Sequence, residues 1–569
     1  MISEKIKKNI STVFQPKLFI LIKNRQYNKQ TFFADLVAGI VVGIVAIPLA
    51  IAFGIASGVS PQQGLITAII AGFLISFLGG THTLIGGPTG AFMIIVAGIV
   101  ADFGINGLWI ATVMAGVMLI IMGLLRLGSV IKFIPYPIIV GFTSGIAVVI
   151  FSTQIKDFLG LSIDAVPSEF INKWGTFFQH LDTINPWALG LGALTVVTII
   201  IFPHITKRIP GSLVAIIITT LLVFFLELPV DTIGSRFPGL SEGASIPEPH
   251  SIAIDAKAVR LLLQPAFTIA LLGAIESLLA AMVADGVTGK RHHSNTELIA
   301  QGAANIITPL FGGIPATGAI ARTMTNINNG GKTPVAGVIH AVILVLIFLF
   351  LMPLAVHIPL ACLAGILVMV AYNMSEWRSF KALFNNPKTD IAVLLLTFGL
   401  TVFFDLTIAI EIGLLMAVIL FLKRVTETSS ISVIENEVRA SENDEDTTAE
   451  VLDIPPDTEV YEINGPFFFG IANKFDEVEG RFTRKRPKIR IVRMRKVPFI
   501  DSTGLHNLHN LWRRSEKEKI QLILSGVNDG VRQTIEKSGF ADELGREFIC
   551  SHINEALQKA HVIAAKTTG

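Results

Sequence analysis

Two short glycine-rich stretches, residues 86–91 (GGPTGA) and 312–319 (GGIPATGA), interrupt a hydrophobic region of about 390 residues. Gly and Pro break a membrane-spanning helix and free backbone N–H groups that lipid cannot satisfy, so such breaks occur only where protein or a polar cavity surrounds them. A short apolar segment follows each break and would begin a half-helix, whose first N–H groups and partial positive charge favour an anion. The two matched breaks therefore predict a central anion-binding site.

The composition is that of an integral membrane protein. Hydrophobic residues make up 51% of the 569 residues and charged residues only 15%. The 45 basic and 43 acidic residues nearly cancel, so the bulk charge indicates no nucleic-acid partner. The two cysteines, Cys362 and Cys550, are too few and too far apart for a disulfide framework or a metal site, and we interpret both as structural. No cofactor is expected.

The apolar runs predict an α-helical protein that crosses the lipid bilayer many times. They extend from Asp35 to Arg424 and give about fourteen segments, counting the short broken ones. Each break follows two spans, so a repeat of about seven spans begins near residue 35 and again near residue 265. Because seven is odd, the two halves would insert with opposite orientation, as a 7+7 inverted repeat.

The basic residues indicate the orientation in the membrane. They fall on one face when the spans are counted, and that face is cytoplasmic by the positive-inside rule. We expect a multi-pass protein of the cell inner (plasma) membrane with cytoplasmic N- and C-termini, and loops outside at roughly residues 157–185 and 228–260. The basic clusters are residues 1–33, Arg126 and Lys132, Lys207-Arg208, Lys290-Arg291, Lys332, and Arg378 to Lys388.

After residue 424 the composition changes. Strand patterns at residues 459–463, 489–494 and 521–525 alternate with helical patterns near 470–482, 503–518 and 528–538, which predicts a small α/β domain. The predicted parts of the chain are a cytoplasmic N-terminal segment (1–33), a first transmembrane repeat (34–227), an extracellular loop (228–260), a second transmembrane repeat (261–424), a polar, acidic and flexible linker (425–450) and the α/β domain (451–569).

Glu276 lies near the middle of the first span of the second half. An ionised carboxylate there costs about 2.5 to 3.5 kcal/mol on insertion scales, and such residues mark ion paths or proton relays. We therefore expect Glu276 to couple anion movement to a proton. The alternative is a structural carboxylate that bonds to the broken backbone.

Arg322 lies one or two turns into the second half-helix. Its guanidinium could add a fixed positive charge behind the helix dipole, or pair with Glu276 when no substrate is bound. The alternative is an arginine that extends toward the cytoplasmic surface, since Lys332 follows ten residues later.

Thr89 and Thr317 occupy equivalent places in the two breaks, so their hydroxyls could donate to substrate oxygens. A helix N-cap is the alternative, and it is favoured for Thr317. Phe53 follows Pro48 in the first span and either lines the pocket or packs in the core. The predicted anion site comprises Thr89, Gly90, Ala91, Gly318 and Ala319 with the nearby backbone amides.

Three stretches of the membrane region resemble the SulP anion transporters: residues 86–90, 273–279 (GAIESLL) and 311–322 (FGGIPATGAIAR). Residues 497–505 (VPFIDSTGL) resemble the STAS domain, which sulfate transporters share with anti-sigma factor antagonists. The resemblance covers roughly residues 30–565. It implies fourteen spans in core and gate domains, substrate between the third and tenth spans, an elevator-like motion, and usually a homodimer with cytoplasmic C-terminal domains.

The resemblance leaves the anion open, because family members transport sulfate, bicarbonate, chloride, oxalate or C4-dicarboxylates. Sodium-dependent bicarbonate members resemble this chain but carry Asp in place of Glu276 and Thr in place of Ala280 and Ile320, which argues against sodium coupling. Residues 274–295 look most like proton-coupled bacterial members, including one for succinate-type dicarboxylates. Proton-coupled transport of sulfate or a C4-dicarboxylate is the leading hypothesis, and sodium-dependent bicarbonate transport is the alternative. By position, Ile320 and Arg322 are counted among the substrate-binding residues.

The stretch Asp501, Ser502 and Thr503 offers two interpretations. In the soluble antagonists a Ser of this motif is phosphorylated by a partner kinase, so the resemblance makes Ser502 a candidate regulatory site. The same residues also suit a strand-to-helix turn with a helix cap.

Other classes of protein would also use such breaks. A passive channel or an uncoupled exchanger would tolerate the loss of Glu276, and a sensor would bind the anion but move none. No nucleophile, metal cluster or acid–base pair with recognisable spacing indicates an enzyme.

Overall fold

The computed structural model describes residues 13–25, 27–129, 135–163, 166–167, 169–206, 210–238, 249, 252, 256–404, 406–434, 437–439, 451–469 and 487–568. It divides into two compact units, Met1–Leu415 and Met416–Gly569. Several predicted features lie outside the described residues: residues 1–12 of the N-terminal segment, Lys132, Lys207-Arg208, most of residues 239–255 of the predicted loop, the acidic end of the linker at 441–450, and the helical pattern near 470–482.

The first unit is helical, and the first break forms a two-residue strand within it. Up to residue 261 its elements are α1 (Lys17–Lys23), α2 (Lys29–Ala56), α3 (Pro61–Leu78), β1 (Gly86–Gly87), α4 (Gly90–Leu124), α5 (Tyr136–Leu159), α6 (Phe170–Gln179), a 3-10 turn (Leu181–Thr183), α7 (Pro186–Ile205), α8 (Gly211–Leu226), α9 (Ile233–Arg236) and α10 (Ala256–Leu261).

The second half of this unit repeats the order of two helices, a short strand and a helix. Its elements are α11 (Leu263–Thr288), α12 (Ser294–Ile307), a 3-10 turn (Thr308–Phe311), β2 (Thr317–Gly318), α13 (Ile320–Asn328), α14 (Val335–Ala355), α15 (Leu360–Met374), α16 (Trp377–Leu383) and α17 (Lys388–Phe403). Helix α18 (Leu406–Thr428) follows.

Many of these helices suit a membrane. Among the described residues, seven helical stretches are long and apolar enough to cross one, and two shorter apolar helices accompany them. The predicted membrane-protein class is confirmed, and the count of fourteen spans stays a prediction. The seven are Lys29–Ala56, Pro61–Leu78, Gly90–Leu124, Tyr136–Leu159, Pro186–Ile205, Leu263–Thr288 and Leu360–Leu383; the two shorter ones are Gly211–Leu226 and Val335–Phe350.

Local chemistry accounts for the helix boundaries near the first break. The Asn28 side chain accepts a backbone N–H bond at the start of α2, and Ser60 forms a capping box with Gln63 at the start of α3. Helix α4 bends at Gly104, whose φ of 68° lies in the left-handed region that favours glycine. The first half-helix therefore runs from Gly90 to this bend.

The two breaks meet. Gly86 pairs with Gly318 and Gly87 with Thr317, so that β1 and β2 form a small antiparallel pair. All four residues are buried. Because β1 leads into α4 and β2 leads into α13, this pairing brings the beginnings of the two helices together.

Glycines allow the two halves of the unit to approach closely. Gly116 on α4 faces Gly302 on α12, and a Cβ added to Gly302 would lie 2.5 Å from the Gly116 carbonyl oxygen. Gly39 on α2 faces α14, where an added Cβ would lie 2.6 Å from the Ala336 carbonyl oxygen. Small residues are typical of membrane helix interfaces, because close backbone approach increases van der Waals contact.

The second unit contains the predicted α/β domain. The elements are β3 (Ser430–Ile434), β4 (Glu437–Arg439), β5 (Val451–Asp453), β6 (Thr458–Asn464), β7 (Ile489–Lys496), α19 (Ser502–Lys517), β8 (Gln521–Ser525), α20 (Asp529–Lys537), α21 (Phe540–Leu544), a 3-10 turn (Arg546–Phe548) and α22 (Ile553–Thr568). The four-stranded sheet has the order β3-β6-β7-β8, with β3 antiparallel to β6 and the other neighbours parallel. Alternating residues build two cores: Val492 packs with α19 to α21, and Ile491 packs with α22 on the other face.

The prediction of a flexible linker at 425–450 is wrong for its first part. Strand β3 lies there and pairs along its full length with β6, and β4 pairs with β5. The alternation of Ser and Ile or Val in residues 430–434 is a strand pattern that is too short to identify without its partner. The predicted extracellular loop 228–260 contains α9 and most of α10, and its place outside the membrane stays a prediction.

We predict that Gly302→Ala destabilises the first unit, because its methyl group would collide with the backbone of Gly116. The cost of such overpacking is about 1 to 3 kcal/mol. Thermal unfolding of the purified protein in detergent measures it. Gly190→Ala on α7 is the matched control, since an added Cβ there has no neighbour within 4 Å. Equal melting temperatures for the two variants would contradict the prediction.

Candidate anion-binding site

The beginnings of α4 and α13 form the centre of the candidate site. The first amides of an α-helix have no partner within the helix. In α4 these include the N–H groups of Gly90 and Ala91, and in α13 those of Ile320 and Ala321. Both helices point these donors and the positive end of the helix dipole toward the paired breaks, which is an arrangement that attracts an anion.

Thr89 connects the first break to Glu276. Its hydroxyl donates a hydrogen bond to Glu276 Oε2 at 3.0 Å. Thr89 occupies the N-cap position of α4, but its side chain makes no capping bond there. The carboxyl group of α11 is thus held at the start of α4, beside the free amides.

Arg322 is buried, with 1% of its surface exposed. Its Nη2 donates to the Pro88 carbonyl oxygen at 2.7 Å and its Nη1 to the Gly86 carbonyl oxygen at 3.4 Å. Gly87 makes room for this contact, because an added Cβ would lie 2.1 Å from Nη1 and its φ of 151° favours glycine. The interpretation of Arg322 as an arginine that extends toward the cytoplasmic surface is wrong, because its guanidinium is buried and bonds to the first break.

The expected pairing of Arg322 with Glu276 is not present in this conformation. Among the residues that the structure describes, no carboxylate lies within 4 Å of the Arg322 guanidinium, whose bonds go to backbone carbonyls. The guanidinium therefore bonds to the first break at Gly86 and Pro88, and the Glu276 carboxyl group bonds to it at Thr89.

The second break is held by side chains that the sequence analysis did not identify. Ser277 Oγ accepts the Gly318 N–H at 3.1 Å and lies 2.6 Å from Thr317 Oγ1. Asn305 makes two bonds to the backbone of Ala316, with its amide group donating at 2.8 Å and its oxygen accepting at 2.9 Å. Their signal in the sequence is weak, because Ser277 follows Glu276 in the apolar run of α11 and Asn305 is one of several polar residues of α12.

Thr317 is not a helix cap. It lies in β2, and its hydroxyl donates to the Gly273 carbonyl oxygen at 3.0 Å, while Ala319 is the residue at the N-cap position of α13. The amides of Gly318 and Ala319 are also occupied, since Ala319 N–H donates to the Ile85 carbonyl oxygen at 2.9 Å. The unused N–H donors of the second break are consequently those of Ile320 and Ala321 at the start of α13.

Helix α13 differs from the apolar half-helix that the sequence suggested. It has nine residues, of which Arg322, Thr323 and Asn326 are buried polar residues. Thr323 Oγ1 accepts the Ile85 N–H at 3.1 Å. Ile320 is 43% exposed at the start of this helix. The bonds of Arg322 and Thr323 thus hold α13, which follows the second break, against the first break.

Phe53 lies at the site. A Cβ built on Gly90 would lie 3.6 Å from Cε1 of Phe53 and 3.1 Å from atoms of Ile150 and Met374. These three side chains come from α2, α5 and α15 and form an apolar wall beside the start of α4. Phe53 is 5% exposed, so it packs in the core and borders the site at once.

Ser502 is the first residue of α19 and is exposed. Asp501 caps this helix, because its Oδ1 accepts the Gly504 N–H at 2.7 Å and its Oδ2 accepts the Phe469 N–H at 3.1 Å. The capping interpretation therefore holds for Asp501, and phosphorylation of Ser502 stays a prediction. In the described part of the chain no cluster of three or more His, Cys, Asp or Glu side chains could hold a metal ion.

Comparison with known proteins identifies the family of this chain. Residues 32–397 match the sulfate permease family, and residues 451–560 match the STAS domain. The chain belongs to the sulfate permease family. It is thus a membrane transporter of an anion-transporting family, with a STAS domain, and the relatives named below are transporters rather than enzymes.

Relatives of this sulfate permease family member include a putative sulfate transporter of Bacillus subtilis, YvdB. That protein is 41% identical over 530 residues, which cover 93% of this chain and 98% of the relative. The bicarbonate transporter BicA of Picosynechococcus is 31% identical over 490 residues, with coverage of 84% and 85%.

Two solved structures share the fold. The transmembrane domain of a cyanobacterial bicarbonate transporter, BicA, matches with a TM-score of 0.59 and 32% identity, and covers 69% of this chain and 98% of that one. SLC26A9 matches with a TM-score of 0.84 over 99% of this chain and 95% of that one, at 18% identity, which shows likeness of fold alone.

We predict that Arg322→Lys impairs the site although it keeps the charge, because one ammonium cannot bridge the Gly86 and Pro88 carbonyls as a planar guanidinium does. A lost bond from a charged group costs about 1.5 to 3 kcal/mol. Thermal unfolding of the purified protein measures this loss. The exposed Arg291→Lys is the control, and an Arg322→Lys variant that unfolds like the control would refute the assignment.

Proposed function

We propose that the protein is a secondary active transporter that carries a small anion together with a proton. Sulfate or a C4-dicarboxylate is the first choice of substrate. The anion would bind between the beginnings of α4 and α13, held by the free amides of Gly90, Ala91 and Ile320, with Thr89, Gly318, Ala319 and Phe53 around it. Arg322 would supply positive charge from behind the break.

The observation that carries the proposal is the bond from Thr89 to Glu276, which holds a carboxyl group beside the anion cradle. A bound anion and an ionised Glu276 would repel each other strongly in this low-dielectric setting. Protonation of Glu276 removes this repulsion. Because the protonated carboxyl group is neutral, no free energy is then spent on burying an ionised carboxylate. Binding of the anion and binding of the proton therefore favour each other, which is the thermodynamic basis of symport.

Alternating access would come from an elevator-like movement of a core domain against a gate domain, and the transporter would work as a homodimer in the inner (plasma) membrane with cytoplasmic termini. The family and the fold support these features. Phosphorylation at the exposed Ser502 would place negative charge at the start of α19 and is proposed as a regulatory step.

The similarity to bicarbonate transporters supports a second candidate, sodium-dependent bicarbonate transport. The composition of this site argues against it, since the side chains of Ala280 and Ile320 carry no oxygen that could bind sodium. Uncoupled exchange or channel activity is the other alternative.

Uptake into proteoliposomes tests the proposal. Labelled sulfate, succinate and bicarbonate are each offered with an inward proton gradient, an inward sodium gradient or neither. Proton-driven accumulation of sulfate or succinate is expected. Sodium-driven bicarbonate uptake would favour the second candidate, and flux that is indifferent to both gradients would favour an exchanger or a channel.

We predict that Glu276→Gln abolishes accumulation but keeps exchange of anion across the membrane. With the membrane potential clamped at zero, one-for-one symport under a gradient of one pH unit concentrates the anion about tenfold, and the variant should reach no accumulation. The Gln side chain can still accept the Thr89 hydrogen bond, so the site stays assembled. The exposed Glu227→Gln is the control. If Glu276→Gln accumulated the anion under a proton gradient as much as the unaltered protein does, the proposed role of Glu276 in proton coupling would be refuted.

A further inference from the structure

A second polar site borders the far side of the apolar wall, in a cavity of about 150 Å³ whose lining includes Ala52, the chain neighbour of Phe53. It is enclosed by the end of α2, the end of α5, the short helix α9 and the start of α15. A cavity needs only about 10 to 15 Å³ to hold one water, so this one has room for a small ion with water. Its lining includes Ala56, Gln154, Asp157, Arg236, Leu363 and Leu367.

The helices of the apolar wall connect this cavity to the anion cradle. On α5, Ile150 lies at Gly90 and Asp157 lines the cavity seven residues later; on α15, Met374 lies at Gly90 and Leu367 lines the cavity seven residues earlier. At 1.5 Å per residue both separations are about 10 Å. Both helices contact Gly90 at one level and line the cavity about 10 Å further along, α5 toward its C-terminus and α15 toward its N-terminus. The cavity therefore lies next to the apolar wall, on the side away from Gly90.

The cavity also belongs to the face that the sequence predicts to be outside. Asp157 begins the acidic loop 157–185, and Arg236 lies in the loop 228–260. Both side chains are reached by solvent, with 22% of Asp157 and 33% of Arg236 exposed. An anion that arrives from outside would meet this pair before it reaches the wall formed by Phe53, Ile150 and Met374.

The two charged groups bind each other through a single guanidinium nitrogen. Arg236 Nη1 donates to Asp157 Oδ1 at 3.1 Å and to Oδ2 at 3.2 Å. The rest of the fork-shaped guanidinium makes no other bond among the described residues. A carboxylate held by a guanidinium occupies the place that a free oxyanion would take. Pairs with this exposure contribute only about 0 to 1 kcal/mol, so a competing anion can replace Asp157 at small cost.

We propose that this cavity is an outer docking site for a small oxyanion such as sulfate, where Arg236 exchanges Asp157 for the incoming substrate. The proposal rests on the proposed function, because it gives the transporter a first binding step on the outer face. Asp157 then regulates affinity: it keeps Arg236 paired when the site is empty and withdraws when the anion binds. Gln154, which is 4% exposed, would add a polar contact at the cavity floor.

The test measures initial uptake of labelled sulfate by intact cells over a range of external concentrations. Asp157→Asn should lower the external KM about three- to fivefold, because Arg236 loses its competitor. Arg236→Gln should raise it about tenfold or more, because a charged hydrogen bond to the anion is lost. Arg236→Lys should recover part of the loss. Efflux of preloaded sulfate should keep its dependence on internal concentration in all variants.

Asp182→Asn is the matched control, because it removes the same charge from the same predicted outer loop at a residue that does not contact Arg236. Equal external KM values for Asp157→Asn, Arg236→Gln and Asp182→Asn would overturn the docking site. Altered maximal rates with unchanged KM would also overturn it, since the pair would then only hold the gate closed. Size-exclusion profiles of the purified variants confirm that each is folded.

A failure of the proposed function is recognised separately. If the unaltered protein moves no anion under any gradient, sulfate binding to the purified full-length protein is measured by equilibrium dialysis. Sulfate binding that weakens in Arg236→Gln and strengthens in Asp157→Asn would support the docking site without transport. Binding that is the same in both variants and in Asp182→Asn would reject it.

Discussion

The first unit depends on one constraint: where the backbone of a membrane protein stops being helical, its N–H and C=O groups must find partners within the protein. The two breaks satisfy much of this need for each other through the pairing of β1 and β2. Arg322 bonds to the carbonyls of Gly86 and Pro88, and Ser277 accepts the amide of Gly318. Each break is therefore stable only because the other half of the unit is folded against it.

The same constraint explains which groups stay free. The strand pairing and the bonds of Arg322 and Ser277 do not use the first amides of α4 and α13. Among the described residues, the N–H groups of Gly90, Ala91, Ile320 and Ala321 have no partner. These amides point where the breaks meet, and the carboxyl group of Glu276 lies beside them through Thr89. The proposed substrate site thus consists of the donors that the fold itself leaves unused.

Two arginines carry positive charge in different ways. Arg322 is buried and donates its hydrogen bonds to backbone carbonyls. Because a carbonyl carries only a partial negative charge, these bonds do not neutralise the guanidinium. Arg236 is partly exposed and its charge is cancelled by Asp157. Burying a charge without partners is costly, so an inner cation needs hydrogen bonds, whereas a cation near solvent can exchange one ionic partner for another. Arg322 therefore suits a permanent positive charge in the interior, and Arg236 suits a positive charge near solvent whose anionic partner can be exchanged.

The sequence alone determined the features that depend on local pattern. Composition identified a membrane protein, Gly and Pro located the breaks, the carboxylate in an apolar run drew attention to Glu276, and alternation predicted β6, β7 and β8. Only the tertiary structure decided the partner of Thr317, the burial of Arg322, the place of Phe53 beside Gly90, and the membership of β3 in a sheet. Arg322 and Gly86 are 236 residues apart, and the partner of a polar side chain at such separation depends on which helices cross, which no local pattern encodes.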